Sequence, residues 1–250
     1  MELISRIKNI LSTNNFNLIH LESVESTMIS IKNFIGSQNI CMLADEQTSG
    51  IGRRGNKWVS PKGNIYISFL IKYDLPIENH FLFSALTANS IIKFLSKYID
   101  ENINIKWPND IIVNNKKIAG IMTEIVKHNN NQYIIIGLGI NILTSPKIKD
   151  YKTCSLKDYK DNLKYENILI NFIKSFFGEY EMMKKKNYDQ ILNLFKNKMS
   201  YFGSKINILL PNGDVKNILL KNLNLDGSLL VEGDGKEENI FSGRIVNDIN

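Results

Sequence analysis

Several features that define common protein classes are scarce in this 250-residue sequence. It has two cysteines, Cys41 and Cys154, and neither lies in a C-x-x-C pair, so we expect no disulfide framework and predict a reducing, cytoplasmic location. An unbroken apolar run of about 18 residues, the length that a membrane helix needs, is absent. The amphipathic N-terminus is also unlike a signal peptide, so no membrane association is expected.

The composition is that of a globular protein with a mild positive charge. Hydrophobic residues make up 43% of the chain and charged residues 22%, which is enough for one large domain plus a small one. The net charge of +6 favours acidic partners such as nucleotides, acidic proteins or nucleic acid, and it does not choose among them.

Periodicity predicts a mixed chain of helices and strands followed by an all-β segment. Helical spacing is found over 3–11, 81–98, 166–185 and 188–198, and strand patterns occur over 17–21, 40–44, 64–72 and in four stretches between 103 and 142. The last fifty residues contain short strands broken by turn signals, which is typical of a small β-barrel or sandwich. We therefore predict two domains, 1–199 and 200–250.

The segment from Gln47 to Trp58 is the most unusual in the chain. Its three glycines (Gly50, Gly52, Gly55) allow close backbone approach to a ligand, and Arg53 and Arg54 supply cations suited to phosphate or carboxylate. The spacing satisfies G-x-G-x-x-G, but a proline follows where the dinucleotide fingerprint needs a helix. The lysine of a P-loop is missing, and a solvated basic loop remains an alternative.

Two other segments have the character of a binding site. Lys106 ends an apolar strand and is followed by Trp107 and a turn, so its ammonium group is held near rigid neighbours. Gly137 and Gly139 interrupt another strand, where glycine often marks the close approach of a ligand or of other backbone. Each has a plainer explanation, namely a surface charge at a strand end and a β-bulge.

Together these segments resemble the biotin–protein ligases. In chain order the motifs are Glu25-Ser26-Thr27, Glu46-Gln47-Thr48, Gly50-x-Gly52-Arg53-Arg54-Gly55-x-x-Trp58, Lys106-Trp107-Pro108-Asn109-Asp110, Lys117-Ile118-Ala119-Gly120-Ile121 and Gly137-x-Gly139-Ile140-Asn141. The resemblance implies an α+β fold. Its catalytic domain would be of the class II aminoacyl-tRNA-synthetase and biotin-ligase type, with a mixed β-sheet flanked by helices, and a small SH3-like β-barrel would follow.

The resemblance also implies roles for individual residues. Lys106 and Arg53 would be catalytic, at the reacting carboxylate and the α-phosphate. Biotin would be bound by Ser26, Thr27, Met28, Gln47, Gly50, Ile51, Gly52, Arg53, Lys106, Gly120, Gly137 and Gly139. The nucleotide would be bound by Arg54, Gly55, Trp58, Asn109, Asn141 and Arg244. Mg²⁺ would arrive with ATP, and no residue is assigned as its ligand.

The implied reaction has two steps. Biotin and ATP form biotinyl-5′-AMP, and the biotin then passes to a lysine of the biotin carboxyl carrier domain of a carboxylase. Some relatives carry an N-terminal helix-turn-helix, but too few residues precede Ser26 for such a domain, so we predict a stand-alone form that binds no DNA operator. The sequence leaves a homodimer open.

The sequence departs from the family pattern at three positions. Met28 stands where Asn is usual, and Ile51 and Asn56 stand where Arg is usual. With two loop arginines lost, we predict faster leakage of the adenylate than in a typical relative, which stopped-flow release measurements would test.

Two alternative functions follow from other features. A lipoate ligase or octanoyl transferase would share the fold, and the transferase would need a reactive cysteine, for which Cys154 is a candidate. A nucleic-acid-binding module would use the basic balance, but the acidic residues of the last fifty positions argue against it.

Overall fold

The computed structural model describes residues 2–149 and 151–246. Within these ranges the α-helices are α1 (Glu2–Thr13), α2 (Thr27–Ser30), α3 (Phe81–Leu95), α4 (Tyr165–Lys184) and α5 (Tyr188–Lys198). The strands of the first sheet are β1 (Asn17–Val24), β2 (Ile40–Gln47), β3 (Ile65–Lys72), β4 (Ile103–Lys106), β5 (Asp110–Val113), β6 (Lys116–His128) and β7 (Asn131–Ile140). Those of the second are β8 (Lys205–Leu209), β9 (Val215–Leu223), β10 (Leu229–Gly233), β11 (Lys236–Ile240) and β12 (Arg244–Ile245).

The first sheet is mixed and the second is antiparallel. The seven strands of the first follow the order β1-β2-β3-β7-β6-β5-β4, with β1 parallel to β2 and the remaining neighbours antiparallel. The five strands of the second follow the order β11-β10-β9-β8-β12. The prediction of an α+β unit followed by a small β unit is therefore confirmed.

The first sheet is covered on both faces, which the sequence pattern of β3 reflects. Ile65, Ile67, Phe69 and Ile71 point toward the large core on the side of α3 and α4, while Leu70 belongs to a smaller apolar cluster on the side of α2. Because neighbouring residues of a strand point to opposite faces, a strand buried on both faces has a continuous apolar run. The site described below lies on the α2 side.

Helix α3 is buried more completely than its sequence suggests. The spacing predicts a single apolar stripe, but every residue of the helix except Lys93 is buried. The reason is that α3 packs between the strands of the first sheet and the helices α4 and α5. A helix enclosed in this way needs no polar face toward solvent, and Lys93 is the residue of α3 that reaches solvent.

The two units are tied together at the turn that follows β4. The buried indole Nε1 of Trp107 donates to the carbonyl of Gly227 at 2.9 Å, and Ser200 N donates to Ile105 O at 2.8 Å. A Cβ on Gly227 would lie 2.3 Å from the ring of Phe81, so the close packing at this point requires glycine. None of the helices in the described ranges is both long and apolar enough to cross a bilayer.

The other predicted elements occur within a few residues of their expected bounds. A pair of asparagines between two strand patterns predicts a tight turn, and Asn114 and Asn115 form one, with φ values of 48° and 58° that asparagine tolerates better than most residues. Ser26 and Thr27 favour the start of a helix that would run to about residue 34, and the structure splits this stretch into the single turn α2 and a 3₁₀ turn over Ile31–Phe34.

Candidate active site

A cavity of about 430 Å³ opens on the α2 side of the first sheet, and the predicted motifs converge on it. The predicted site residues that line it are Ser26, Thr27, Met28, Gln47, Ile51, Gly52, Arg53, Arg54, Trp58, Lys106, Asn109, Gly120, Gly137, Gly139 and Arg244. Arg53 and Lys106, distant in sequence, therefore face the same space. Arg244 comes from β12, so the small C-terminal unit contributes directly to the cavity wall.

Three predicted site residues lie outside the cavity lining. Gly50 closes the loop, since its carbonyl accepts from Trp58 N at 2.8 Å and a Cβ would lie 2.4 Å from Trp58 O. Gly55 has φ +77° and turns the loop tip. Asn141 is buried, and its side-chain amide donates to Cys154 O at 3.0 Å, so it secures the neighbouring segment.

A chain of hydrogen bonds fixes the amide of Gln47 at one end of the cavity. Its Oε1 accepts from Thr27 N at 2.8 Å and from Thr27 Oγ1 at 3.1 Å, while its Nε2 donates to Ser60 Oγ at 2.8 Å. Ser68 Oγ donates to Thr27 Oγ1 at 2.8 Å. With both acceptor positions of Oε1 filled, Gln47 has one N–H left to offer a ligand. Ser60 and Ser68, which support this arrangement, carried no signal in the sequence.

The position of Ser26 at the start of α2 suggests that its hydroxyl caps the helix, but it does not. Ser26 occupies the N-cap position of α2, yet its side chain makes no capping hydrogen bond. Its Oγ is buried and has no hydrogen-bond partner within the described protein. A buried hydroxyl without a partner is costly, and a ligand in the cavity that Ser26 lines could satisfy it.

The wall of the cavity is strongly cationic. The cationic residues among the described lining are Arg53, Arg54, Lys57, Lys106, Lys117, Lys152 and Arg244, and the single carboxylate there is Asp110. Asp110 pairs with Lys117 at 2.7 Å in a mostly buried salt bridge. The excess positive charge suits a ligand with several negative charges. Lys117 and Asp110 lie within the recognised motifs, but the resemblance had given them no role.

Arg53 is held toward the cavity by the turn after β4. Its Nη1 donates to Asn109 Oδ1 at 3.2 Å, and Asn109 Nδ2 in turn donates to Ile121 O on β6 at 2.7 Å. Burial lowers the pKa of Arg53, nearby Arg54 lowers it further, and Asp110 raises it. A guanidinium group remains protonated under such conditions, so Arg53 presents a partly desolvated positive charge.

The three cavity-lining strand glycines lie on the site face and leave room for side chains. A Cβ on Gly139 would lie 2.3 Å from Trp58 Nε1, and one on Gly120 would lie 3.0 Å from Trp58 Cζ3. A Cβ on Gly137 would lie 2.3 Å from the Met28 sulfur. The predicted close approach is therefore made, in this structure, by Trp58 and Met28. Lys117 Nζ lies 5.1 Å from the Trp58 ring centroid, a cation–π distance.

Two of the three departures from the family pattern are linked in space. Met28 belongs to the small apolar cluster on the α2 side, and Ile51 packs against the same cluster. Apolar packing thus links the loop to the cluster that contains Met28, where the family usually has polar and charged residues at these two positions. This packing of Ile51 would compensate in part for the loop contacts that an arginine at position 51 would make.

The comparisons with known proteins agree with the geometry. A family model described as the biotin/lipoate A/B protein ligase family matches residues 21–141. The bifunctional ligase/repressor BirA of Bacillus subtilis is 25% identical over 232 residues, with 90% of this chain and 71% of that protein covered. The biotin–[acetyl-CoA-carboxylase] ligase of Mycobacterium tuberculosis is 22% identical, with 83% and 78% covered.

Residues 21–141 of this chain form a domain of the biotin/lipoate A/B protein ligase family. The resemblance to the biotin–protein ligases that the motifs indicated is confirmed. The fold also matches a biotin protein ligase of Aquifex aeolicus, solved in complex with biotin and ATP, with a TM-score of 0.74 at 24% identity over 92% of this chain and 97% of that one.

Within this ligase family, the alternative of an octanoyl transferase would require a reactive cysteine at the cavity. Cys41 and Cys154 are buried, and both lie outside the cavity lining. Burial raises the pKa of Cys154 to about 11 and raises that of Cys41 further still. A thiol with such a pKa is neutral near pH 7 and a poor nucleophile.

Proposed function

We propose that this chain is an ATP-dependent biotin–protein ligase that forms biotinyl-5′-AMP and transfers the biotin to a lysine of a biotin carboxyl carrier domain. The observation that carries the proposal is the meeting of the glycine–arginine loop (residues 50–58) and Lys106 at one cationic cavity. The solved relatives with biotin and ATP support both small-molecule substrates.

The polar end of the cavity suits the bicyclic head of biotin. The ureido ring of biotin has both N–H donors and a carbonyl acceptor. The remaining N–H of Gln47 and the unpartnered hydroxyl of Ser26 can hydrogen-bond such a group. Met28 and Ile51 supply apolar surface nearby.

The cationic end suits the reacting groups. In the first step a carboxylate oxygen of biotin attacks the α-phosphorus of MgATP, and pyrophosphate leaves. Two anions must approach each other, so neutralising their charge is the main catalytic task. Lys106 and Arg53 would stabilise the charge on the carboxylate and the α-phosphate, and Lys117 and Arg244 would face the nucleotide.

The second step needs no nucleophile from this chain. An acceptor lysine, as the free amine, attacks the acyl carbon of biotinyl-5′-AMP, AMP leaves, and an amide bond is formed. Closure of the glycine–arginine loop would keep water from the acyl phosphate until the acceptor arrives.

Other features belong to the same proposal. The second sheet would be an SH3-like barrel, with the domain boundary between residues 199 and 200, and the first would be of the class II synthetase type. The enzyme would act in the cytoplasm without binding a DNA operator. A homodimer is compatible with this function.

The direct test is to incubate the protein with biotin, ATP and Mg²⁺ and to measure biotin-dependent pyrophosphate–ATP exchange. Lipoate in place of biotin is the matched control. Exchange with biotin but not with lipoate, followed by labelling of a carrier domain, is the expected result. Exchange with lipoate alone would reverse the assignment within the family.

A further inference from the structure

We propose that the C-terminal β unit holds the glycine–arginine loop closed through a clamp on Arg54, formed by the hydroxyl of Ser242 and the carbonyl of Gly243. Ser242 would then be a positioning residue for retention of the adenylate, so this inference rests on the proposed function. Arg54 Nη2 donates to Ser242 Oγ at 2.8 Å and approaches Gly243 O at 3.5 Å.

The loop is a narrow hairpin whose two arginines bond to different parts of the protein. Gly52 N donates to Asn56 O at 2.7 Å, and Ile51 pairs with Lys57 across the hairpin. At the tip, Arg53 donates to Asn109, while the next residue, Arg54, donates to the segment before β12. The turn after β4 and the segment before β12 therefore both hold this short loop through hydrogen bonds.

Arg54 has a backbone conformation that needs external support. Its φ of 56° and ψ of 34° lie in the left-handed region, which a residue with a side chain adopts less readily than glycine. Such a conformation persists where surrounding contacts hold it. The contact with Ser242 and Gly243 provides that support.

The segment that holds Arg54 is itself firmly placed. A Cβ on Gly243 would lie 2.8 Å from the side chain of Ile208, and Arg244 pairs with Leu209 on β8. The hydrogen bond from Trp107 to Gly227 holds the second sheet against the catalytic unit. Trp107 and Asn109 belong to the same turn, so the contacts of Arg53 and Arg54 both depend on the position of that turn.

A bound ligand should affect the contacts of Arg53 and Arg54 differently. The contact from Arg53 to Asn109 lies at the cavity, where a bound anion competes for the guanidinium. In the contact from Arg54, the acceptor Ser242 lies outside the cavity lining, so its hydroxyl can still hold the loop when Arg53 turns to the adenylate. Its loss should speed opening of the loop and release of the adenylate, with little change in the rate at which the adenylate forms.

The test compares Ser242→Ala with Ser242→Thr, which keeps a hydroxyl, and with Ser204→Ala as a matched control. Ser204 is an exposed serine of the same β unit that lies outside the cavity lining. The first measurement is hydrogen–deuterium exchange of residues 50–58 in the ligand-free protein. The second is the release rate of biotinyl-5′-AMP after rapid dilution, together with its single-turnover formation rate.

We expect Ser242→Ala to raise loop exchange and adenylate release by about three- to tenfold, the effect of losing one solvent-exposed hydrogen bond. Ser242→Thr should restore most of the protection, and Ser204→Ala should match the wild type. Arg54→Ala should open the loop similarly, and combining it with Ser242→Ala should add little, since both remove the same contact.

Wild-type loop exchange in Ser242→Ala would overturn the clamp, as would a Thr variant as open as the Ala variant. The exchange measurement uses the ligand-free protein, so it decides the clamp whether or not an adenylate is made. Failure of the wild type to form biotinyl-5′-AMP would instead overturn the proposed function.

Discussion

Replacing Gly139 with alanine tests the packing of Trp58 at the centre of the site. The new Cβ would lie 2.3 Å from Trp58 Nε1 and 2.4 Å from Cε2, whereas ordinary contacts begin at 3.4 Å. Strand β7 is paired on both sides, with β3 and β6, so it cannot yield easily. The indole must therefore move by about 1 Å or leave its place.

The cost can be worked out from these contacts. Overpacking a close-packed position costs about 1–3 kcal/mol, and loss of the contact between Lys117 and Trp58 adds about 0.5–1 kcal/mol. A total of about 1.5–4 kcal/mol corresponds to a fall in melting temperature of about 3–16 °C for a chain of this size. Because Trp58 lines the cavity, displacement of its indole should also raise the KM for ATP.

Gly178→Ala is the matched control for this substitution. Gly178 lies within α4, and a Cβ there would have no atom within 4 Å. Alanine is a better helix former than glycine, so this variant should gain about 0.5–1 kcal/mol. The assay is thermal unfolding with and without biotin and ATP, alongside pyrophosphate exchange. If Gly139→Ala melts at or above the wild-type temperature and keeps its KM, Trp58 does not occupy the place described.

Three further variants test other parts of the structure. Lys106→Ala should lower the rate of pyrophosphate exchange roughly a hundredfold or more, since removal of one donor at a developing charge costs about 2.7–4 kcal/mol; a change of only a few-fold would remove Lys106 from the mechanism. Trp107→Phe should leave the Gly227 carbonyl without its partner and cost about 1–3 kcal/mol in a urea titration, and an unchanged midpoint would show that this bond does not join the two units. Cys154→Ser should keep ligase activity within a few-fold, and an inactive variant would revive the transferase alternative. Wild-type Cys154 should react slowly with iodoacetamide at pH 7, because burial raises the pKa of its thiol to about 11 and the thiol is protonated at pH 7.

Much of the site could be predicted from the sequence because its residues are close together along the chain. The glycine–arginine loop and the turn from Lys106 to Asp110 are each a short segment whose chemistry does not depend on distant residues. The glycines of β6 and β7 were also visible, since glycine inside a strand breaks the expected pattern of side chains. What fills the space beside them was not visible, because Met28 and Trp58 approach from other parts of the chain.

The sequence by itself determined the order of helices and strands, the family, and the segments that carry charge and glycine. Those properties depend on periodicity and on local residue types, which the printed chain displays. Only the tertiary structure decided that α3 is buried on nearly all sides, that Gln47 is oriented by Ser60 directly and by Ser68 through Thr27, and that Ser242 reaches Arg54. Each of these is a contact between residues far apart along the chain, and such contacts exist only after the sheets have formed and packed.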